Sequence, residues 1–147
     1  LKNNTRDAVD LATLLHWHQQ PVPLTGDNRY HCEHCSALCD AVQQVRLADT
    51  GAHLLVHLQR YGRDLGKDSR PVQVPRALVF GDRGYRLVGA VEHLGSTLEH
   101  GHYVAWVSVG GALYRCSDQQ VRACTAWPDE PYILVYEQQE HLESVKG

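Results

Sequence analysis

Two histidines, His100 and His102, stand where a glycine-containing loop runs into an alternating apolar stretch, "STLEHGHYVAWVS" (Ser96–Ser108). A general base must be held on a rigid element and face a cleft. His102 opens the alternating run, and Gly101 before it permits close backbone approach. His100 lies further back in the loop, where solvation is the simpler reading. Such a base needs a third group on its other ring nitrogen to fix its tautomer and orientation. Ser117 and Asp118, in "LYRCSDQQV" beyond the Gly110-Gly111 turn, are the candidates. His102 and Ser117 stand nine and six residues from Gly111, so a bulge or a longer loop is expected to take up the difference. On local sequence alone, Ser-Asp is ordinary turn or cap chemistry.

The thiols are the second chemical signal. Cys32 and Cys35 form a C-x-x-C; Cys39, Cys116 and Cys124 make an odd total of five. An odd count argues against a disulfide framework and for reduced thiols in an intracellular setting, cytoplasmic or nuclear. Two thiolates at this spacing clasp one face of a tetrahedral zinc ion and need two further ligands. Cys32, Cys35, His31 and His34 would be cramped as a complete set. A thioredoxin-type reading is weaker, because no strand leads into a helix opened by the pair. Half a zinc site and incidental cysteines both stay open. The pair is expected to face across the tip of a β-hairpin. Of the remaining histidines, His16, His18, His53 and His57 lie in helix or strand patterns and read as structural or surface residues. His141 lies in a polar tail, and His93 joins the candidates near the loop.

These groups need elements to hold them. Thr5 to His18 reads as a helix, with Thr5 as N-cap, Ala8, Leu11, Ala12 and Leu15 on one face, and Pro21 and Pro23 beyond its end. "LTGDNRY" is turn chemistry. The chain then turns β-like: "AVQQVRL" and "AHLLVHLQRY", a polar loop from Gly62 to Pro71, then "YRLVGAVEHL", "HYVAWVSV", "ALYRC" and "PYILVYE". Short glycine-containing connectors favour antiparallel neighbours. In "HYVAWVSV", Tyr103, Ala105 and Val107 fall on one face and Val104, Trp106 and Ser108 on the other. The 147 residues suit one domain, 43% hydrophobic and 21% charged, with net charge −3. The 14 Lys and Arg are scattered, which argues against nucleic-acid binding. No apolar run approaches the roughly 18–20 residues of a membrane span. There is no Met, and the chain starts at Leu1; it is expected to be a piece of a longer chain or a processed product.

Taken in order, "YHCEHC…LLVHLQRY…YRLVGAVEHLGS…HGHYVAWV…LYRCSDQQV…PYILVYE" resembles the C-terminal half of a ubiquitin-specific protease catalytic domain. The most specific element is a histidine box: H-x-G at His93-Leu94-Gly95, a short loop, then Gly101-His102-Tyr103. A D-x-x-V (Asp118–Val121) and a final Y-I-L-x-Y (Tyr132–Tyr136) follow. The resemblance implies an α+β, papain-like cysteine-protease fold of fingers, palm and thumb, represented here by a mainly antiparallel sheet with an N-terminal helix. Fingers would cover about 24–56, palm about 57–139, and a polar tail 140–147. It implies a deubiquitinase that hydrolyses the isopeptide bond at the C-terminal glycine of ubiquitin. His102 would be the base, Ser117 its orienting partner and Asp118 a supporting carboxylate. Gly95, Ser96, Gly101 and Tyr103 would border the substrate tail, on a loop that shifts to admit it. Cys32 and Cys35 would be the second half of a four-cysteine zinc site. The partners implied are ubiquitin or a ubiquitin-conjugated protein, and the N-terminal half of the catalytic domain.

Several features depart from the family pattern. No cysteine here has the setting of the family nucleophile, so the isolated chain is expected to be inactive. Ser117 stands where Asp or Asn is usual, and Cys116 where an aromatic is usual. "HLQRY" ends in Tyr61 where the family's strand usually ends in Phe. The competing reading is a non-catalytic ubiquitin-binding or scaffolding relic of the same fold.

Overall fold

A computed structural model describes residues 8–62, 66–97 and 99–139. Along the chain lie β1 (Val9–Asp10), α1 (Leu11–His18), β2 (Val22–Leu24), β3 (Tyr30–Cys32), β4 (Ala37–Cys39) and β5 (Ala41–Gln43). They are followed by β6 (His53–His57), β7 (Val72–Gln73), β8 (Ala77–Phe80), β9 (Arg83–Leu94), β10 (His102–Val109), β11 (Ala112–Ser117), β12 (Gln120–Cys124) and β13 (Pro131–Gln138). The chain divides into two compact units, residues 12–49 and the remainder. Among the described residues, no helix is long and apolar enough to cross a membrane.

The larger unit is built on an antiparallel sheet in the order β12-β11-β10-β9-β13-β6, with β8 also paired to β9. Strand β9 is its spine. One edge pairs with β8 near its start and with β10 near its end, while the other edge pairs with β13. Alternation sends Tyr85, Leu87, Ala90, Val104, Trp106, Leu134 and Tyr136 into a core in which each is under a tenth exposed. Buried hydroxyls are satisfied: Tyr85 donates to Thr50 Oγ1 at 2.7 Å and Tyr136 to Pro75 O at 2.9 Å. Burial pushes the Tyr136 phenol far up from its usual value, so it stays a donor. This unit is the mainly antiparallel sheet that the sequence implies.

The smaller unit pairs β2 with β5 and, within that pair, β3 with β4. None of its described residues belongs to the buried core. It ends at residue 49, and β6 is hydrogen-bonded to β13 of the larger sheet.

Two expectations change. The helix starts at Leu11, because Val9 and Asp10 pair in parallel with Val72 and Gln73. Val9 N–H donates to Pro71 O at 3.0 Å, and a ladder partner outweighs the apolar spacing. The proposed cap, Thr5, lies outside the described residues, as does the tail 140–147. In "AVQQVRL" only Ala41–Gln43 forms strand. Its partner β2, Val22–Leu24, is only three residues long, and the ladder ends where β2 begins, directly after Pro21.

Candidate active site

The hairpin β10–β11 sets the register of the site. Gly110 and Gly111 both have positive φ, 57° and 84°, as a two-residue turn matched to strand twist requires. Val109 therefore faces Ala112, and Ala105 faces Cys116. Carried on by one pair, Val104 lies opposite Ser117, so His102 is the diagonal neighbour of Ser117 on the same face. No bulge or longer loop intervenes, contrary to expectation, because the imidazole spans the diagonal. His102 Nε2 lies 2.8 Å from Ser117 Oγ. Asp118 Oδ2 is 3.7 Å from the same nitrogen, close enough for charge but too far for a hydrogen bond. Asp118 has φ +50° in the tight turn that closes Ser117 against Gln120. Few side chains other than Asn and Asp accept that conformation readily. His102 stands at the rim of the core, on the face that carries buried Val104 and Trp106.

The loop before His102 runs between two glycines that leave no room for side chains. A Cβ on Gly95 would collide with the His100 carbonyl and come within 3.0 Å of Gly101 Cα. A Cβ on Gly101 would overlap the His93 ring and lie 2.8 Å from Leu94 O. Ser96 O accepts from Lys67 N–H at 3.2 Å. Tyr103 is half exposed and stacks on His93 with ring centroids 4.5 Å apart. The four residues expected to border a substrate tail therefore cluster at the start of β10. His100, as expected, is exposed.

Three residues that sequence reasoning left out of the site complete this loop's surroundings. The Tyr61 hydroxyl hydrogen-bonds to His93 Nδ1. Burial, then the neighbouring Tyr103 and Tyr132, push its phenol up from the usual value, so it keeps its proton. Lys67 Nζ donates to His93 O and pairs with Glu130, both at 2.8 Å. Arg60 is buried and donates to the carbonyls of Pro131, Asp68 and Arg70. The usable hint was Tyr61 at a position where the resembling family carries Phe.

No cysteine of the larger unit shares the site. Cys116 precedes Ser117 in the strand and so points to the opposite face. Cys124 pairs with Leu113, near the Gly110-Gly111 end of the hairpin. Cys32 closes β3 and Cys35 lies in the turn to β4. The backbone N–H and thiol of Cys35, with the N–H of His34, pull the Cys32 thiol below its usual range. The same thiol contact, with burial and Cys39, pushes Cys35 up. N–H donors aimed at a sulfur suit a metal-binding thiolate. Among the described residues, however, no three His, Cys, Asp or Glu side chains are grouped to hold a metal.

A family model described as ubiquitin carboxyl-terminal hydrolase matches residues 3–136. The chain belongs to this family. Human ubiquitin carboxyl-terminal hydrolase 35 is 35% identical over 118 residues, 74% of this chain and 11% of that protein. Mouse ubiquitin carboxyl-terminal hydrolase 17-like protein D is 29% identical over 136 residues, 83% of this chain and 25% of its own length. Among solved structures, a yeast SAGA DUB module shares the fold with TM-score 0.76 and 25% identity, covering 92% of this chain and 34% of that one. A SAGA DUB module bound to monoubiquitin gives TM-score 0.74 at 25% identity over the same shares. The chain thus spans about a third or less of each of these ubiquitin carboxyl-terminal hydrolases and DUB-module chains. The family match runs through the loop 95–101, His102, Ser117 and Asp118.

Proposed function

We propose that this chain supplies the base and its orienting partner to a thiol-dependent deubiquitinase, whose nucleophilic cysteine lies in a segment outside this chain. The observation that carries this reading is the 2.8 Å contact between His102 Nε2 and Ser117 Oγ. With Nε2–H donated to the serine oxygen, Nδ1 carries the lone pair and is the nitrogen left for proton transfer. It takes the proton of the incoming thiol. The thiolate attacks the carbonyl of ubiquitin's C-terminal glycine, and Nδ1–H then protonates the departing lysine amine. In the second half, Nδ1 deprotonates water, which displaces the enzyme sulfur from the thioester. The Asp118 carboxylate, 3.7 Å from Nε2, stands beside the ring through each half-reaction. Gly95, Ser96, Gly101 and Tyr103 border the path of the ubiquitin tail, and the solved complex of a DUB module with monoubiquitin supports ubiquitin as the partner. The odd count of five cysteines supports an intracellular location, cytoplasmic or nuclear.

The competing reading, a non-catalytic ubiquitin-binding or scaffolding member, draws on the fact that, among the described residues, no carboxylate is hydrogen-bonded to His102. One experiment separates the two. The intact protein is expected to form a covalent adduct with a ubiquitin probe bearing a C-terminal electrophile, and this chain alone is expected to form none. No adduct on the intact protein would favour the binding reading. An adduct on Cys116 or Cys124 of this chain, lost in His102→Ala, would place the nucleophile here instead.

Zinc is proposed only as a shared site. Cys32 and Cys35 fit half of a tetrahedral shell, and two thiolates alone hold the ion weakly. Elemental analysis of this purified chain should find well below one zinc per molecule. Stoichiometric, chelator-resistant zinc would show that His31, His34 or Cys39 completes the shell.

A further inference from the structure

We propose that His93 is a positioning residue for His102, acting as the seat on which the chain at Gly101 rests, with Tyr61 holding that seat in place. The proposal builds on the reading of His102 as the base. His93 is 1% exposed, and the chemistry described above does not use it. A buried imidazole without a stated task calls for a physical account.

Its ring is fixed on two edges. At Nδ1 it meets the Tyr61 hydroxyl. On the other edge, Nε2 and Cε1 occupy the volume that a side chain at residue 101 would need: a Cβ on Gly101 would overlap Nε2 and stand 2.6 Å from Cε1. A Cβ on Gly95 would lie 3.1 Å from the same Cε1. Both glycines that bracket the loop therefore press backbone toward one ring, and Gly101 is the residue directly before His102. The main chain of His93 is held as well, by Lys67 Nζ on its carbonyl at 2.8 Å. Lys67 N–H also binds Ser96 O, so one residue grips the chain at the end of β9 and again three residues further on, in the loop. Rotation of the His93 ring would move Gly101 and tilt the imidazole of His102 away from Ser117. Misplacement on the ångström scale is costly where proton transfer needs hydrogen-bond reach.

A residue that only fills the core lowers stability. A positioning residue lowers kcat with little change in KM and alters the His102 hydrogen bond. Tyr61→Phe keeps the ring and removes only the hydroxyl. In the intact protein, with a fluorogenic ubiquitin-amide substrate, kcat should fall about tenfold and KM should stay within about twofold, the scale of one neutral hydrogen bond. The His102 ring-nitrogen signals in NMR should shift. His93→Asn, whose side-chain oxygen stands in for Nδ1 as acceptor, should retain more kcat than His93→Leu at matched melting temperature. An unchanged kcat in Tyr61→Phe, or equal losses in His93→Asn and His93→Leu, would overturn the proposal. If the wild type shows no turnover, the enzyme reading fails by itself. The NMR arm then decides for His93: shifted His102 signals in Tyr61→Phe uphold it, and unchanged signals overturn it. If Tyr61→Phe does not fold, the comparison of His93→Asn with His93→Leu decides alone.

Discussion

Replacing His102 with Ala in the intact protein should lower kcat/KM on a ubiquitin-amide substrate by about 10³–10⁴-fold, the range expected when a positioned general base is lost together with the activation of its nucleophile. Ser117→Ala should cost far less, about tenfold. The bond lost there is between a serine oxygen and a ring N–H at 2.8 Å, a neutral hydrogen bond worth roughly 1 kcal/mol. Asp118 contributes through charge alone: its carboxylate is 3.7 Å from Nε2 and its side chain is 80% exposed. Solvent screening keeps that contribution small. Asp118→Asn removes the charge while keeping a residue that tolerates φ +50°, so its effect should be smaller than that of Ser117→Ala. Asp118→Ala is the poorer probe, because it adds backbone strain to the loss of charge. Ser117→Asp would set a full carboxylate at hydrogen-bond distance and stabilise the protonated ring, so it should equal or exceed the wild type. A silent Ser117→Ala with an inactive Asp118→Asn would transfer the orienting role to Asp118. If His102→Ala is silent too, the catalytic reading falls and the binding reading takes its place.

The parts of the site legible in sequence are those governed by local rules. Gly110-Gly111 announces a two-residue turn because few other pairs adopt two positive φ values, and alternation along β10 and β11 then assigns the faces. The shared face of His102 and Ser117 follows from that arithmetic, although their meeting on a diagonal does not. The histidine box is legible as a pattern, but the task of His93 is not. Its partner Tyr61 lies 32 residues away and its carbonyl's partner Lys67 26 residues away, and nothing in either segment specifies that contact. Strands β8 and β12 went unread for a related reason. β12 is short and largely exposed and carries little apolar signal; β8, Ala77–Phe80, is an unbroken apolar run of four with no alternation to mark it as a strand, and the pairing of each is dictated by the neighbouring strand. Val9–Asp10 failed in the opposite direction, since a helical spacing was present and a tertiary ladder overrode it.

Arg60→Ala should produce the largest loss of stability, about 3–5 kcal/mol, the range for removing one partner from a buried, hydrogen-bonded charge site. Arg60 is 5% exposed. Its Nε donates to Pro131 O at 2.6 Å, and its Nη1 to Asp68 O at 2.8 Å and Arg70 O at 2.9 Å. One guanidinium therefore ties the start of β13 to the segment that carries Lys67. Burial pulls its pKa down from the usual value, and Glu130, Asp68 and Glu92 offset this with negative charge. Removing the side chain takes a donor from each of three carbonyls and leaves an empty volume among them, and a buried group left unsatisfied costs about 1–3 kcal/mol. Lysine does not rescue the site, because a single ammonium cannot present the spread donors of the planar fork. Arg60→Lys should recover less than half of the loss. The measurement is urea unfolding with the slope compared across variants, so that a change in midpoint is read as stability only where the slope is constant. A loss below about 1 kcal/mol for Arg60→Ala would mean that water replaces the guanidinium on all three carbonyls. The segment at 66–70 would then need another anchor. In the expected case the damage should also reach the site, because Lys67 holds His93 O and Ser96 O from the segment that Arg60 secures. Amide exchange at Ser96 and Thr97 should accelerate in Arg60→Lys under conditions where the core strands remain protected.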